Sequence, residues 1–178
     1  MKKVVIISSS PRENSNSYIL AKEFERGALE ANNSVEFISL KDYNISYCEG
    51  CYACSELNRC YKEDGMNELA KKLVESDVIL FATPVYFYSM SGQLKVFIDR
   101  LVPYYTSVKA DIYMIATMWD SEDEMMENTF EAIRGQTRDC FEGCVEKGVL
   151  CASGLNDAGE AKQRPDYLAK AYNMGKNV

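Results

Sequence analysis

The sequence predicts an α/β fold with a doubly wound parallel sheet, organised as one domain over residues 1–178. Short apolar segments alternate with amphipathic segments along all 178 residues, and no repeat or linker interrupts them. Asp77–Ala82 is a nearly continuous apolar run, which is typical of a strand buried on both faces of a parallel sheet. Parallel strands are joined by right-handed crossovers, so we expect helices on both faces.

Five segments have the composition of strands. The first is apolar and β-branched, the second alternates apolar and polar residues as expected near a sheet edge, and the third is expected to end at Thr83–Pro84. The predicted strands are Val4–Ile7, Ser34–Leu40, Asp77–Ala82, Ile112–Thr117 and Gly148–Ala152.

Each predicted strand is followed by a segment that fits a helix. In the second and third of these segments, apolar residues recur at the spacing i, i+3, i+4, i+7 of an amphipathic helix. Asp64 and Ser91 are candidate N-caps of these two helices, and Pro103 is expected to end the third. The predicted helices are Tyr18–Ala31, Met66–Val74, Leu94–Val102, Glu122 to about Arg138, and Pro165–Asn173.

Composition excludes several classes of function. The formal charge of −7 without a basic cluster argues against nucleic acid and anionic membrane surfaces as partners. No apolar run approaches the ~18 residues of a membrane span, and too few apolar residues follow Lys2 and Lys3 for a signal peptide, so we expect a cytoplasmic protein. The absence of histidine removes Ser-His and Cys-His pairs and His-ligated zinc.

A hydroxyl-rich loop, Ser8–Ser17, joins the first strand to the first helix. Unpaired N–H groups and the positive dipole end of a helix hold a phosphate when small polar residues surround them. The loop lacks the glycine and lysine pattern of a P-loop and the three glycines of a dinucleotide turn, so a monophosphate is favoured. The alternative is a Ser/Asn loop that only caps the helix.

Three aromatic residues, Tyr86, Phe87 and Tyr88, follow the buried third strand, and Trp119 follows the fourth. Ligands of doubly wound sheets bind outside the carboxyl ends of the strands, so these rings are placed to stack on a flat heterocycle. A contact between subunits is the alternative, because aromatic residues are also enriched in interfaces.

These residues resemble a known family. Ser10-Pro11-Arg12 with Asn14-Ser15-Asn16-Ser17 resembles the Gly-Ser-Pro-Arg-x-x-Gly-Asn-Thr loop of flavodoxin-like NAD(P)H-dependent FMN reductases. Pro84–Phe87 with Ser91–Arg100 is similar to the family's second signature, and Val149–Gly154 with the tail is similar to its C-terminal pattern. The resemblance therefore covers essentially the whole chain and implies the five-strand order 2-1-3-4-5. Serines at 9 and 15 replace family glycines.

The resemblance implies an FMN-dependent oxidoreductase. FMN would take a hydride from NAD(P)H and pass electrons to a quinone, a flavin, a nitro compound or an iron–sulfur partner, with no catalytic side-chain acid or base. It also implies a homodimer or homotetramer. The implied phosphate-binding residues are Ser10, Arg12, Ser15, Asn16 and Ser17, and Pro84, Val85, Tyr86 and Phe87 line the isoalloxazine, with Trp119 at the same rim.

A four-cysteine run, Cys48-x-x-Cys51-x-x-Cys54-x₅-Cys60, lies in a predicted insertion loop over residues 41–64. Four thiolates at this spacing can bind a [4Fe–4S] cluster, and zinc or no metal are the alternatives. The spacing resembles the iron–sulfur flavoprotein branch of the same family. The remaining cysteines, Cys140, Cys144 and Cys151, are expected to be small buried hydrophobic residues.

Two other functions remain open at this point. A flavodoxin-type electron carrier, or an iron–sulfur flavoprotein that transfers electrons without a small-molecule acceptor, fits the acidic composition. A thiol-ligated metal-binding or regulatory module on a degenerate fold fits the cysteine run.

Overall fold

The computed structural model describes all 178 residues, and strands alternate with helices along the chain. The strands are β1 (Lys3–Ser8), β2 (Ser34–Ser39), β3 (Val78–Tyr86), β4 (Ser89–Met90), β5 (Asp111–Thr117) and β6 (Val145–Ala152). The helices are α1 (Asn16–Glu30), α2 (Cys54–Leu57), α3 (Met66–Val74), α4 (Gly92–Asp99), α5 (Glu127–Thr137) and α6 (Pro165–Lys176), with 3₁₀ turns at Leu40–Asp42, Asp123–Met126 and Glu160–Gln163.

The five long strands form a parallel sheet in the order β2-β1-β3-β5-β6, which confirms the predicted order 2-1-3-4-5. The two-residue strand β4, which the sequence did not predict, pairs antiparallel with the end of β3. Two apolar cores cover the two faces, because successive side chains of a strand point to opposite sides. Ile79 and Phe81 of β3 belong to the core under α3, α4 and α5, whereas Leu80 belongs to the core under α1 and α6.

Helices α1 and α6 pack against each other at unusually short range. A Cβ placed on Gly27 would lie 2.1 Å from the carbonyl oxygen of Tyr172, and one placed on Gly175 would lie 2.0 Å from that of Phe24. Because both contacts are to backbone atoms, the helices can approach this closely only through glycine.

Several local predictions are wrong. Helix α4 ends at Asp99, before Val102, so Pro103 is not the residue that ends it. Strand β3 continues through Thr83–Pro84 to Tyr86. Its ladder with β1 ends at Ala82 and its pairing with β4 begins at Val85, so Pro84 itself pairs only with β5. Proline is tolerated where a strand has a free edge. Asp64 is not the N-cap of α3, which is Gly65; its carboxylate accepts from the Met66 N–H only at 3.4 Å and binds Arg100 at shorter distances. Cys140, which lies beyond the end of α5 at Thr137, is exposed, and Cys144 and Cys151 are only partly buried.

Candidate functional site

A cleft lies at the carboxyl edge of the sheet, where the loops after β1, β3, β5 and β6 meet. Eight of the ten predicted FMN-binding residues line it, namely Ser10, Arg12, Ser15, Asn16, Pro84, Val85, Tyr86 and Trp119. Arg12 is its only charged lining residue, and no carboxylate lines it. In a chain with a net charge of −7, a cleft with this lining favours an anionic ligand.

The loop after β1 is anchored to β3 and α4 by buried hydrogen bonds on one side and lines the cleft on the other. Ser9 is buried; its hydroxyl donates to the Ala82 carbonyl and lies 3.0 Å from the hydroxyl of Ser91, the N-cap of α4 as predicted. Ser15 caps α1 by accepting from the Tyr18 N–H. Its φ of −64° is open to any residue, and the left-handed residue of the loop is Asn14 at 51°. The loop therefore does not need a glycine at position 15.

The side chain of Asn16 has a structural role. Its amide nitrogen donates to the Asp157 carbonyl at 3.0 Å, and its oxygen accepts from the Ala161 N–H at 3.0 Å. Both polar atoms are therefore bonded to the loop after β6. Only the backbone N–H of Asn16 remains available to a ligand, which the sequence did not indicate.

Unpaired donors surround the start of α1. The N–H groups of Asn16 and Ser17 have no partner in the chain, and the buried hydroxyl of Ser17 has none either. Ser17 does not itself line the open cleft. Arg12 lies across the cleft mouth, where its guanidinium is 3.5 Å from the Asn156 carbonyl. These unpaired N–H groups and the α1 dipole create the electrostatic conditions for binding a phosphate.

The aromatic loop is a tight hairpin between β3 and β4. Tyr86 pairs with Ser89, and the two residues between them, Phe87 and Tyr88, have positive φ angles of 50° and 56°. Phe87 is fully exposed and does not line the cleft. Because the N–H groups of Phe87 and Tyr88 have no partner, this hairpin can donate to the edge of a heterocycle.

Five further lining residues were absent from the predicted site: Thr117, Met118, Leu155, Asn156 and Ala158. They belong to the loops after β5 and β6, which are tied together by bonds from the Leu155 N–H to Met118 and from the Gly154 N–H to Asp120. The rule that ligands bind beyond the carboxyl ends of strands pointed to the loop after β5, but the loop after β6 was not among those predicted. The polar segment Asn156-Asp157-Ala158 had no signature of its own.

A second cavity brings the four cysteines Cys48, Cys51, Cys54 and Cys60 together with Lys62 and Arg100. No three metal-binding side chains are close enough to hold a metal ion as the chain stands. The loop is supported by Lys62, which donates to Glu49 and to the Tyr47 carbonyl, and by the Tyr61 hydroxyl, which donates to Glu49. The bonds from Lys62 and Tyr61 hold the pKa of Glu49 below its usual value.

A buried ion pair lies beneath this cavity. Arg100 binds both carboxylate oxygens of Asp64, at 2.8 and 3.0 Å, and also donates to the Ser46 carbonyl at 2.6 Å. Burial alone would raise the pKa of Asp64, but the bonds from Arg100 and the Ser46 N–H lower it below its usual value. No local pattern in the sequence indicates this pair, because its members are 36 positions apart.

Residues 2–121 match the family model for NADPH-dependent FMN reductases. That match covers more than half of the chain, which therefore belongs to this family. The expected family and the flavodoxin-like α/β fold are confirmed.

Individual relatives agree with this assignment. The chain is 41% identical over 101 residues to an iron–sulfur flavoprotein of Methanocaldococcus jannaschii, covering 57% of this chain and 52% of that protein. It thus spans about half the length of the curated relatives it matches. Two solved structures share the fold: a Bacillus anthracis azoreductase (TM-score 0.78, 16% identity, both chains fully covered) and a Methanothermobacter marburgensis NAD(P)H:quinone oxidoreductase (0.77, 15%, 99% and 95% covered).

No helix of the structure combines the length and apolarity that crossing a membrane requires.

Proposed function

We propose that this member of the NADPH-dependent FMN reductase family is an FMN-dependent oxidoreductase, with the FMN in the cleft at the carboxyl edge of the sheet. The observation that carries the proposal is that hydrogen-bond donors without a partner lie on one side of the cleft, at the start of α1, and an apolar, aromatic wall lies on the other. FMN has the same two parts, a phosphate and a flat ring. When bound, it would take a hydride from NAD(P)H and pass electrons to an acceptor.

The phosphate end is assigned to the loop before α1. Ser10 and Ser15 offer hydroxyls, Asn16 and Ser17 offer backbone N–H groups, and Arg12 supplies a positive charge. Ser17 also contributes a buried hydroxyl that lacks a partner. The serine at position 15, where the family has glycine, is compatible with this role, since the backbone there is extended.

The ring end is assigned to Pro84, Val85 and Tyr86 on one side and Trp119 on another. Trp119 is 75% exposed, which leaves its ring free to stack. Donors at the hairpin tip would stabilise negative charge on the edge of the bound heterocycle. Phe87 stands outside the cleft and would reach a ligand only from the rim.

The test compares FMN with riboflavin, which has the same ring and no phosphate. In the Arg12→Ala variant we expect FMN to bind about tenfold more weakly, because a charge-assisted hydrogen bond contributes about 1.5–3 kcal/mol. Riboflavin binding should be unchanged. The matched control is Arg138→Ala, which removes an exposed arginine just after α5 that is paired with Glu131 and Asp139.

Flavin-fluorescence titration measures both affinities, and NAD(P)H oxidation by the FMN-loaded protein measures activity. Equal losses for FMN and riboflavin would exclude a phosphate at Arg12. Failure of the unaltered protein to retain FMN or to oxidise NADH or NADPH would reject the oxidoreductase. Retained FMN without NAD(P)H oxidation would instead favour a flavodoxin-type carrier.

The cysteine cavity supports a second, additional function. We infer that Cys48, Cys51, Cys54 and Cys60 ligate a [4Fe–4S] cluster, which would exchange electrons with the flavin. Four thiols of one cavity form a suitable donor set, and the loop carrying Cys48 and Cys51 is exposed and would have to draw inward. Relatives named iron–sulfur flavoproteins support this inference.

Anaerobic purification with iron, sulfide, zinc and flavin quantified together tests the cluster. Four iron and four sulfide per chain would be the expected result. One zinc per chain and no sulfide, or no metal at all, would contradict it. A Cys54→Ser variant should lose cluster iron, whereas Cys140→Ser, outside the cavity, should retain it.

The structure is also compatible with the proposed single domain, its cysteine-bearing insertion at 41–64, and a homodimer or homotetramer. Exposed apolar side chains, Phe87, Val102 and Tyr105, offer surface for a subunit contact. Light scattering during gel filtration would show a mass two or four times that of one chain, and a monomeric mass would reject the oligomer.

A further inference from the structure

The buried guanidinium of Arg100 has one donor that the fold does not use. Arg100 is 2% exposed and follows the last residue of α4. One terminal nitrogen donates to Ser46 and Asp64, and the other donates to Asp64. The remaining nitrogen, Nε, is buried and has no hydrogen-bond partner. A buried unpaired donor is costly, so a native structure that retains one calls for a physical reason.

The ion pair closes the base of the cysteine loop. Ser46 precedes the first cysteine by two residues, and Asp64 follows the last by four. Arg100 binds both, and Asp64 also accepts from the Ser46 N–H at 3.0 Å. The guanidinium thus joins the two ends of the loop with its terminal nitrogens. Its position and orientation are fixed by the bidentate carboxylate.

Among the four cysteines, Cys60 is the one held firmly beside this pair. Its N–H donates to the Asn67 side chain at 3.0 Å, and its carbonyl accepts from the same side chain at 2.9 Å. Tyr104 fixes Asn67 in turn. Cys60 and Arg100 line the same cavity, although no hydrogen bond of ordinary geometry joins Nε to the Cys60 sulfur.

We propose that Asp64 positions Arg100 so that its Nε–H donates a hydrogen bond to the Sγ of Cys60 when that sulfur is a thiolate ligand of the cluster. The inference rests on the cluster proposed above and makes Arg100 a positioning residue for it. A small inward movement of the loop on cluster binding would bring Sγ into line with Nε. The unpaired donor would then gain a charged acceptor.

The expected consequence is a higher reduction potential. Reduction adds one negative charge to the cluster and its thiolates, and N–H donors to sulfur stabilise the charge that is added. A hydrogen bond to a charged group shifts an equilibrium constant by about tenfold. For a one-electron couple, a tenfold change corresponds to about 59 mV.

The test compares Arg100→Lys with Arg59→Lys in the full, anaerobically purified protein. Lysine keeps the positive charge at position 100 but has no Nε–H in a fixed plane. Arg59 is the matched control, because it also contacts Cys60, through the backbone carbonyl, but is exposed. In redox titrations monitored by electron paramagnetic resonance (EPR), Arg100→Lys should lower the midpoint potential by about 59 mV. Arg59→Lys should leave it unchanged.

A second measurement keeps Arg100 in place and so does not depend on whether Arg100→Lys folds. The Arg59→Lys protein is grown with arginine labelled with ¹⁵N at Nε, and pulsed EPR of the reduced cluster should show a ¹⁵N coupling. A protein that holds the cluster but shows no such coupling, or an unshifted potential in Arg100→Lys, would overturn the role of Arg100 and leave the cluster standing. A protein with iron and sulfide absent would overturn both.

Discussion

The close contact of α1 with α6 makes a sharp prediction about stability. In Gly27→Ala, the new Cβ would lie 2.1 Å from the Tyr172 oxygen and 2.8 Å from the Lys176 nitrogen, whereas ordinary contacts begin near 3.4 Å. The shortfall against the oxygen is 3.4 − 2.1 = 1.3 Å, and both neighbouring atoms are backbone. The helices must therefore separate, which leaves the core between them poorly packed.

The magnitude follows from two opposing terms. Overpacking of this kind costs about 1–3 kcal/mol, and the upper end applies because no flexible side chain can move aside. Alanine recovers about 1 kcal/mol through its higher helix propensity. We expect a net loss of about 2 kcal/mol, or a fall in Tm of about 4–8 °C for a domain of this size.

Gly135→Ala is the matched control, since Gly135 lies inside α5 with nothing within 4 Å of its added Cβ. It should stabilise the protein by up to about 1 kcal/mol. Urea and thermal unfolding of the apoprotein, followed by circular dichroism, measure both. Adding Gly175→Ala to Gly27→Ala should cost less than it does alone, because the helices have already separated. The reasoning is refuted if Gly27→Ala matches or exceeds the stability of the unaltered protein.

Three further outcomes follow from the structure. Asp64→Asn should lower the free energy of unfolding in urea by about 3–5 kcal/mol, because it leaves Arg100 buried without a counter-charge. Because the pKa of Asp64 is lowered in the folded state, this stabilisation is present above about pH 4 and is lost as pH falls through the folded-state pKa. The free energy of unfolding should therefore depend less on pH in the acidic range in the variant than in the unaltered protein. Ser91→Ala should cost about 1 kcal/mol, since it removes the cap of α4, and a loss near zero in the same assay would contradict the cap. Burial raises the pKa of Cys144, so iodoacetamide should alkylate Cys144 at pH 8 much more slowly than the exposed Cys140. Mass spectrometry of the tryptic peptides measures both rates, and equal rates would contradict this prediction.

The order of strands and helices was predictable because it depends on local patterns. The continuous apolar run of β3 and the helical spacing of α3 are visible in any short window of sequence. The cleft was also largely predictable, since the ends of parallel strands meet at one edge of the sheet whatever the details of the loops. Its loop after β6 escaped because Asn156 and Ala158 carry no distinctive pattern.

What escaped prediction depends on contacts between distant residues. Asp64 has the composition and position of a helix cap, and its carboxylate accepts from the Met66 N–H at 3.4 Å, but its shorter bonds are to Arg100, 36 positions away. Asn16 fits a phosphate-binding loop, yet Asp157 and Ala161 occupy both of its side-chain atoms. Competition for one polar group by a partner far along the chain leaves no trace in local sequence.

The hairpin at Phe87 and Tyr88 could not be predicted either, because its local sequence disfavours the turn that the surrounding structure imposes. Two-residue hairpin turns with two positive φ angles favour Asn-Gly or Asp-Gly, and no pattern in Tyr86–Ser89 suggests one. Each non-glycine residue held there costs about 1–2 kcal/mol, so the turn persists only because β3, β4 and the cap at Ser91 fix its ends. Backbone strain of this kind is common at ligand sites. Here the strained turn places two unpaired N–H groups and the aromatic rings at the rim of the cleft. The local rule is broken where the proposed flavin would bind, which supports an assignment of this turn to ligand contact over one to simple chain reversal.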